Sequence, residues 1–479
     1  MLVLTLVLAA LDQTILSTAL PVMARDLPGG LPLAWVFSSY LLAATVVIAL
    51  YGRLADVLGR KPMLLLAIGL FVFGSLACGF SQNLYQLVFA RALQGAGGGG
   101  LMTLTMLTVP DLFAPQVRGR YLALLGAAYG VSTMFGPLLG AALVEHLSWH
   151  WAFWMNVPLA AIAWSILALT LPKTPTASQK DQHAPIDWLG AMLLTAALVS
   201  LLLATQHENL NLAKRVSLWM LIAFGAKFSI AFVLRQRRAT SPLLPLSLFT
   251  RKAYAAVSFI GLVSGVALYA AVVFLPQYLQ VGLHLSPTSS AWHLLPLMSG
   301  ITIAAVASGK LLRMQVPSEK LARTACALML LSFGLLIAAL RWLPSHALAL
   351  AASLLPLGLG LGLLFPIITV VAQRVSPARH IGIATAVPTM LRSLGGASAV
   401  ALLAALLAQV MKDELKVTRA LMTSTQLSAT VAELMRDAVA TAMSHGLQPV
   451  FGCTAVAALL AVLACRWLPA EDLLSTAQA

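Results

Sequence analysis

Charged residues are scarce in this sequence, and their scarcity excludes whole classes of protein. Asp, Glu, Lys and Arg together make up 9% of the 479 residues, whereas hydrophobic residues make up 60%. Soluble domains carry about 25% charged residues, so the chain has no room for a sizeable water-soluble domain. A mean hydropathy of +0.91 indicates instead a protein that crosses a membrane many times.

Cysteines and the common catalytic motifs are also scarce or missing. The four cysteines, Cys78, Cys326, Cys453 and Cys465, show no Cys-x-x-Cys spacing, so neither a disulfide framework nor a metal site is predicted. The sequence contains no phosphate-binding Gly-x-x-x-x-Gly-Lys loop, no His-Glu-x-x-His pair and no Gly-x-Ser-x-Gly elbow. We therefore expect no cofactor, and a membrane-embedded enzyme is the weaker alternative.

Basic residues outnumber acidic residues by 30 to 15, which gives a formal net charge of +15. In a soluble protein this excess would suggest nucleic acid, but here the basic residues lie in short loops between apolar runs, so we expect no nucleic-acid partner. Most of them fall in the loops on the same side as the N-terminus. By the positive-inside rule, both termini are predicted to be cytoplasmic, in the inner membrane of a bacterium.

Apolar stretches long enough to cross about 30 Å of hydrocarbon predict an all-α polytopic membrane protein. The first stretch begins at Leu2 with no basic residues before it and no small-residue cleavage site after it, so a spanning helix is expected and not a signal peptide. The fourteen predicted spans are 2–24, 33–51, 63–82, 85–109, 121–144, 151–171, 187–206, 216–235, 253–276, 291–312, 321–342, 346–372, 382–410 and 447–467.

A weak internal repeat divides these spans into two halves. Gly-Lys-Leu-Leu-Arg at 309–313 follows the tenth span as Gly-Arg-Leu at 52–54 follows the second. We expect an N-terminal six-helix bundle over 1–171 and a C-terminal six-helix bundle over 253–479, separated by a linker with two inserted helices over 172–252.

One long segment of the C-terminal half is not apolar enough to span a membrane. Residues 411–446 mix charged residues with Leu, Val and Met. This mixture predicts a helix that lies on the outer surface, with disorder as the alternative.

The first span carries an acid, Asp12, followed by Gln13. Asp12 lies ten residues into the helix, or about 15 Å from its start, near the centre of the bilayer, where an unpaired charge is costly. Burial favours the neutral carboxyl and a nearby cation favours the carboxylate, so Asp12 could change its protonation when its surroundings change. The alternative is a permanently paired or protonated residue that serves only packing.

The fourth span carries a polar face. Arg91, Gln94, Gly95 and Gly98 are spaced i, i+3, i+4 and i+7, so they lie on one side of a helix. Lipid offers polar groups no partners, and this face is therefore expected to point into a cavity, with Arg91 within reach of Asp12. An interfacial arginine that reaches towards the membrane surface is the alternative.

The fifth span carries a glycine pattern. Gly126 with Gly130, and Gly136 with Gly140, are pairs spaced by four residues that allow helices to approach closely, and Pro137 removes one helical hydrogen bond. The pattern predicts a hinge where the helix bends, although plain packing explains glycines in many membrane helices.

A short charged loop joins the second and third spans. Residues 52–61 contain Asp56 and Arg60 between glycines Gly52 and Gly59, which are expected to permit a sharp turn. A plain cytoplasmic loop that obeys the positive-inside rule is the alternative.

Together these motifs resemble a known family. The 52–61 loop, the 91–98 run and the glycines from 130 to 140 look like three signature motifs of drug:proton antiporters of the major facilitator superfamily, and the third is typical of exporters. Further runs resemble the fourteen-span EmrB/QacA-like branch of that family: Leu-Asp-Gln-Thr-Ile at 11–15, Trp-His-Trp-Ala-Phe at 149–153, Asn-Val-Pro at 156–158 and Asp-Trp-Leu-Gly at 187–190.

The resemblance implies a proton-coupled exporter of hydrophobic, amphipathic or cationic compounds that works by alternating access. By resemblance, Asp12 would carry the proton and Arg91 would control its release, with Gln13 and the polar face of the fourth span in the substrate cavity. The inner latch would be built from Asp56 and Arg60 together with Asp111 and Arg118.

Proton, small organic substrates and membrane lipid are the partners that the resemblance implies. A periplasmic adaptor and an outer-membrane channel stay open as further partners. An exporter of one metabolite and a proton-coupled nutrient symporter are the alternative functions.

Overall fold

The computed structural model describes residues 1–28, 33–113, 115–172, 187–205, 217–239, 242–244, 246–314, 316–376, 381–422 and 428–469. In these residues the regular structure is helical, and seventeen α-helices follow one another along the chain. The first seven are α1 (Leu2–Asp26), α2 (Ala34–Leu58), α3 (Arg60–Gly79), α4 (Leu84–Leu112), α5 (Pro115–His146), α6 (Trp151–Trp154) and α7 (Asn156–Thr170).

Two helices follow in the middle of the chain, and eight in its C-terminal part. The middle pair is α8 (Trp188–Thr205) and α9 (Leu218–Arg238). The C-terminal helices are α10 (Lys252–Gln277), α11 (Pro287–His293), α12 (Leu295–Arg313), α13 (Ser318–Trp342), α14 (Ala347–Ser353), α15 (Leu355–Arg374), α16 (Ile381–Met422) and α17 (Ser428–Ala464).

Twelve of the described segments are long and apolar enough to cross a membrane, so the predicted number of fourteen spans is not supported. The predicted span 85–109 corresponds to α4, a helix of 29 residues in which Arg91, Gln94 and a run of glycines reduce the hydropathy. The predicted span 187–206 corresponds to α8, of which Trp188–Leu201 is a shorter apolar helix. Hydropathy alone is a poor criterion for whether α4 crosses the membrane, because the polar residues of this helix are buried in protein.

Three of the predicted spans are each built from two helices. The breaks fall at Met155, Leu294 and Leu354, and each comes two or three residues before a proline. Proline has no N–H to donate to the preceding turn, so the helical hydrogen bonding is interrupted there and starts again at the proline.

The helices before and after the middle pair form two sets of contacts. In the first set α4 packs on α2 and α3, while α1 packs on α5; in the second set α12 packs on α15, and α10 on α16. Contacts of α2 with α16 and of α5 with α12 join the two sets, and α8 packs on α9, α2 and α16. The residues between the two sets therefore lie near the centre of the molecule.

In the described residues, the segment 411–446 is not a separate helix but belongs to two longer ones. Residues 411–422 continue α16, and residues 428–446 belong to α17, while 423–427 lie outside the described residues. No glycine or proline occurs between 411 and 422, so nothing in the sequence stops α16 where its apolar part ends.

Candidate functional site

Asp12 lies near the middle of α1 and is almost inaccessible, with 2% of its surface exposed. Its Oδ2 accepts a hydrogen bond from Arg91 Nη1 at 2.9 Å. Its Oδ1 accepts from Gln94 Nε2 at 2.7 Å and from Asn156 Nδ2 at 2.9 Å. Every partner donates, which is the arrangement that suits an ionised carboxylate, and the three donors tie α1 to α4 and α7.

Arg91 is equally buried, with 1% of its surface exposed. Besides Asp12, its Nη1 donates to Gln94 Oε1 at 2.5 Å and its Nε donates to the Val36 carbonyl at 3.3 Å. Its Cζ lies 4.3 Å from the centroid of the Tyr40 ring, within the range of a cation–π contact. A buried charge that loses its partner costs about 3–5 kcal/mol, so the ion pair and the local fold depend on each other.

Gln94 and Gly95 face the interior of the first helix set and do not line the central cavity. Gln94 is fully buried, and its Nε2 donates to Ser75 Oγ at 2.8 Å as well as to Asp12. A Cβ at Gly95 would lie 2.3 Å from the Tyr40 carbonyl oxygen, so this glycine allows α4 to approach α2. Spacing along one helix predicted a shared face, but it could not tell which neighbouring helix each residue meets.

A small central cavity lies between the two helix sets. Gln13 and Gly98, both predicted as cavity residues, contribute to its lining. The Tyr269 hydroxyl donates to Gln13 Oε1 at 3.2 Å, which joins α10 to α1 across the cavity. The other lining residues are Leu41, Ala44, Ile48, Gly99, Met102, Tyr129, Leu268, Thr389, Arg392 and Ser393.

The glycines of α5 make different kinds of contact. A Cβ at Gly136 would lie 1.8 Å from Thr14 Oγ1, and one at Gly140 would lie 2.3 Å from the Ile15 carbonyl oxygen, so both allow close packing on α1. Gly130 faces α12 instead, where a Cβ would lie 2.8 Å from Thr302 Oγ1. At Gly126 a Cβ would meet no atom of the described residues within 4 Å, so their packing does not explain this glycine.

Pro137 also takes part in the contact between α5 and α1. Its carbonyl accepts a hydrogen bond from Thr18 Oγ1 at 3.1 Å. This bond, the packing of Gly136 and the packing of Gly140 all fall on the same face of α5.

The residues predicted to form the latch lie where α2, α3 and α4 end or begin. Arg60 Nε donates to Asp111 Oδ2 at 3.0 Å, which joins the start of α3 to the end of α4. Gly59 separates α2 from α3 with φ 91°, a conformation that favours glycine. The turn predicted at Gly52 is wrong, because Gly52 lies inside α2. The side chains of Asp56 and Arg118 lie outside what the structure describes.

Three residues of the Asp12 cluster escaped the sequence-based site prediction. Asn156 entered only as part of a family motif, although a fully buried amide in an apolar run calls for a polar partner. Ser75 and Tyr40 gave no comparable signal, because single hydroxyls are common in membrane helices.

The helix bundle thus has twelve described segments that could cross a membrane, a buried ion pair, and a small cavity between its two helix sets. The chain belongs to the Major Facilitator Superfamily, whose sequence profile matches residues 2–400. The predicted all-helical major facilitator fold is thereby confirmed. The members of this family are transporters, which disfavours the enzyme alternative.

Several relatives share extended sequence similarity with the chain. An uncharacterized MFS-type transporter of Mycobacterium tuberculosis is 33% identical over 406 residues, 85% of this chain and 58% of that protein. The multidrug transporter protein MdtP of Bacillus subtilis is 28% identical over 413 residues, 85% of this chain and 74% of that protein. The chain thus spans little more than half the length of the mycobacterial relative.

Solved structures share the fold at low sequence identity. The crystal structure of a D-xylose-proton symporter superposes with a TM-score of 0.63 at 15% identity, covering 98% of this chain and 97% of that one. A bacterial homolog of the human lysosomal transporter Spinster, in an inward-facing and occupied conformation, gives a TM-score of 0.62 at 15% identity, covering 97% and 94%. At such identities the likeness establishes the fold alone.

Proposed function

We propose that the protein exports hydrophobic or amphipathic compounds across the bacterial cytoplasmic membrane in exchange for protons, with both termini in the cytoplasm. Two relatives from Bacillus subtilis, a multidrug transporter protein and a multidrug resistance protein, support the export of such compounds. The buried Asp12–Arg91 ion pair supports proton coupling, because it places a titratable carboxyl at mid-membrane depth beside the cavity.

The coupling step follows from the contacts of Asp12. A proton on Asp12 removes the ion pair and leaves one carboxyl oxygen unable to accept from all its present donors. Arg91 would then keep Gln94, the Val36 carbonyl and the rings of Tyr40 and Phe153 as partners, so the contacts between α1 and α4 weaken. Protonation thereby favours a second arrangement of the helices, and proton release returns the protein to the first.

The two helix sets would rock around the cavity as the N-terminal and C-terminal bundles, in the manner of alternating access. Runs such as 11–15 and 187–190 support membership of the EmrB/QacA-like branch. In a bacterium with two membranes, the exporter would deliver its substrate either to the periplasm or to an adaptor and an outer-membrane channel.

Everted membrane vesicles test this proposal. In vesicles from a host that lacks its own efflux pumps, respiration should drive accumulation of the uncharged probe N-phenyl-1-naphthylamine, and an uncoupler should abolish it. Asp12→Asn should lose this accumulation, whereas Asp12→Glu should retain part of it at a shifted pH. Asp26→Asn provides the matched control, because Asp26 is an exposed acid on the same helix.

The direction of transport separates the proposal from its alternatives. A proton-coupled nutrient symporter would expel its substrate from everted vesicles instead of accumulating it. An exporter of a single metabolite would not accumulate this probe, although its proton coupling would still depend on Asp12. Equal accumulation by wild type and by Asp12→Asn would refute the assigned role of Asp12.

A further inference from the structure

Arg392 is a charged residue of the central cavity to which the coupling mechanism gives no role. It lies on α16 and lines the cavity. It follows Ile383, the start of the apolar part of that helix, by nine residues, or about 14 Å, which puts it near the middle of a bilayer about 30 Å thick. Arginine is always protonated in proteins, so Arg392 brings a fixed positive charge to mid-membrane depth.

The contacts of Arg392 do not neutralise this charge. Its Nη2 donates to Met102 Sδ at 3.3 Å, and its Cζ lies 4.7 Å from the centroid of the Phe365 ring. A thioether is a weak acceptor, and a ring offers only its quadrupole. Among the described residues no Asp or Glu lies within ion-pair distance of Arg392, in contrast to the fully paired Arg91.

The remaining charges nearby do not offset Arg392 either. Within the described part of the chain, Arg392 is the one formally charged residue of the cavity lining, and no acid is included. Asp12 is adjacent in sequence to Gln13, but it is 2% exposed, its carboxylate accepts three hydrogen bonds, and it is not part of the cavity lining. The cavity therefore presents a net positive charge to a bound molecule.

Aromatic rings complete the surroundings of Arg392. Tyr129 and Tyr269 line the cavity, and the Tyr129 ring contacts the Phe365 ring edge-on, with centroids 6.4 Å apart. Flat apolar molecules pack well on such rings, and a guanidinium binds carboxylates through two parallel hydrogen bonds. The two features together suit a molecule with an aromatic body and an anionic head.

We propose that the cavity binds an amphipathic organic anion, an aromatic or alkyl-aromatic carboxylate, and that Arg392 holds its carboxylate. This inference rests on the proposed function only in taking the cavity as the substrate site. It narrows the substrate class, since an amphipathic cation would meet the guanidinium without a counter-charge. The bound anion would replace the weak contact with Met102 by a charged pair.

Binding of three matched probes to the purified full-length protein tests the proposal. The probes share one ring system and differ in charge: 1-naphthaleneacetate, 1-naphthaleneacetamide and 1-naphthylmethylammonium. Isothermal titration in nonionic detergent, with empty micelles as the blank, should show that the wild type binds the anion about tenfold or more tightly than the amide, and the amide more tightly than the cation. This comparison needs no variant and no proton gradient.

Variants then connect the preference to Arg392. Arg392→Gln should reduce the affinity for the anion to that for the amide and leave the affinity for the amide unchanged. Arg392→Lys should keep part of the preference for the anion, because the lysine ammonium keeps the positive charge but lacks the two parallel donors of arginine. Arg341→Gln, at an exposed arginine on α13, should behave as the wild type. Thermal unfolding of each variant verifies that the fold is intact.

Three results would overturn the proposal: no binding of naphthaleneacetate, equal or tighter binding of the amide or the cation, or an equal loss of all three probes in Arg392→Gln. An equal loss of all three probes would indicate that Arg392 acts in the conformational cycle and does not bind the carboxylate. Failure of the proposed export is a separate outcome. If the protein prefers the anion but everted vesicles show no uncoupler-sensitive accumulation, the binding site at Arg392 is supported, and the proposed direction or energy source of transport is wrong.

Discussion

At the scale of single residues, Asn156 offers a test of how Asp12 is controlled. Its Nδ2 donates to Asp12 Oδ1, while its own Oδ1 is buried and has no partner among the described atoms. A lost hydrogen bond to a charged group costs about 1.5–3 kcal/mol, so Asn156→Ala should disfavour the ionised carboxylate. The variant should therefore reach half-maximal efflux at a higher pH than the wild type.

The pH dependence of probe accumulation in everted vesicles measures this shift. Ser165→Ala is the control, because Ser165 lies on the same helix but is exposed. An unchanged pH profile in Asn156→Ala, at normal abundance, would show that Asn156 only fills space beside Asp12.

Individual residues also show what the sequence alone could predict. The pairing of Asp12 with Arg91 could be predicted from their similar depth in the membrane, because an ion pair lowers the cost of burying two opposite charges there. The role of Asn156 and the isolation of Arg392 did not follow. Both depend on which helices become neighbours, and periodicity within one helix carries no information about that choice.

At the scale of helices, two glycines of α5, Gly140 and Gly126, allow a matched comparison. A methyl group at Gly140 would lie 2.3 Å from the Ile15 carbonyl oxygen, which belongs to the backbone and cannot move aside cheaply. At Gly126 the same methyl would meet nothing within 4 Å. Gly140→Ala should therefore destabilise the protein by about 1–3 kcal/mol through overpacking, while Gly126→Ala should be neutral or slightly stabilising.

Thermal unfolding in detergent compares the two variants directly. If the unfolding midpoint falls in Gly140→Ala but not in Gly126→Ala, the close packing of α5 on α1 contributes to stability. Similar midpoints for both variants would mean that α5 and α1 separate more easily than their close approach suggests.

The junction of α3 and α4 supports a second prediction at this scale. Arg60 and Asp111 are partly exposed, and exposed pairs contribute at most about 1 kcal/mol, so breaking them should change transport more than stability. If they form a latch, Arg60→Asp should reduce efflux and Arg60→Asp with Asp111→Arg should restore part of it. Exchanging Arg323 and Glu319, an exposed pair within α13, should leave efflux unchanged.

Efflux in everted vesicles, normalised to protein abundance, is the measurement. Failure of the double variant to recover any activity would mean that the position of each charge matters more than the pair. Asp56→Asn extends the same test to the acid of the 52–61 loop, where loss of efflux at normal abundance is expected.

Helix positions were predicted well where apolar runs are uninterrupted, as in α10 and α13. The predicted count of fourteen spans is not supported, because α4 and α8 are not among the twelve described segments that are long and apolar enough to cross a membrane. The breaks before the prolines at 158, 296 and 356 were not predicted, and proline alone does not mark them, because Pro21, Pro137 and Pro366 lie inside continuous helices. The continuation of α16 to Met422 was not, since a charged helical segment looks the same whether it joins a span or lies beside one.

At the scale of the whole molecule, hydrogen bonds join the two helix sets on the side of the cavity where α5 and α10 end. Near the end of α5, Glu145 Oε1 accepts from the Thr288 N–H at 2.9 Å and Oε2 accepts from Thr288 Oγ1 at 2.6 Å. Thr288 lies in α11, so these bonds cross from one set to the other. Deeper in the molecule, Gln280 Nε2 donates to the Thr18 carbonyl at 3.2 Å.

Alternating access requires such contacts to break in each cycle, so a covalent link between Glu145 and Thr288 should stop transport. With Cys453, the exposed cysteine, replaced by serine, Glu145→Cys with Thr288→Cys should lose efflux when treated with a short bifunctional thiol reagent that a reductant can cleave. Reduction should restore efflux, because the link holds one conformation without removing a coupling residue. Each single cysteine variant should keep its activity under the same treatment. Continued efflux by the cross-linked protein would mean that the helix sets do not separate at this end.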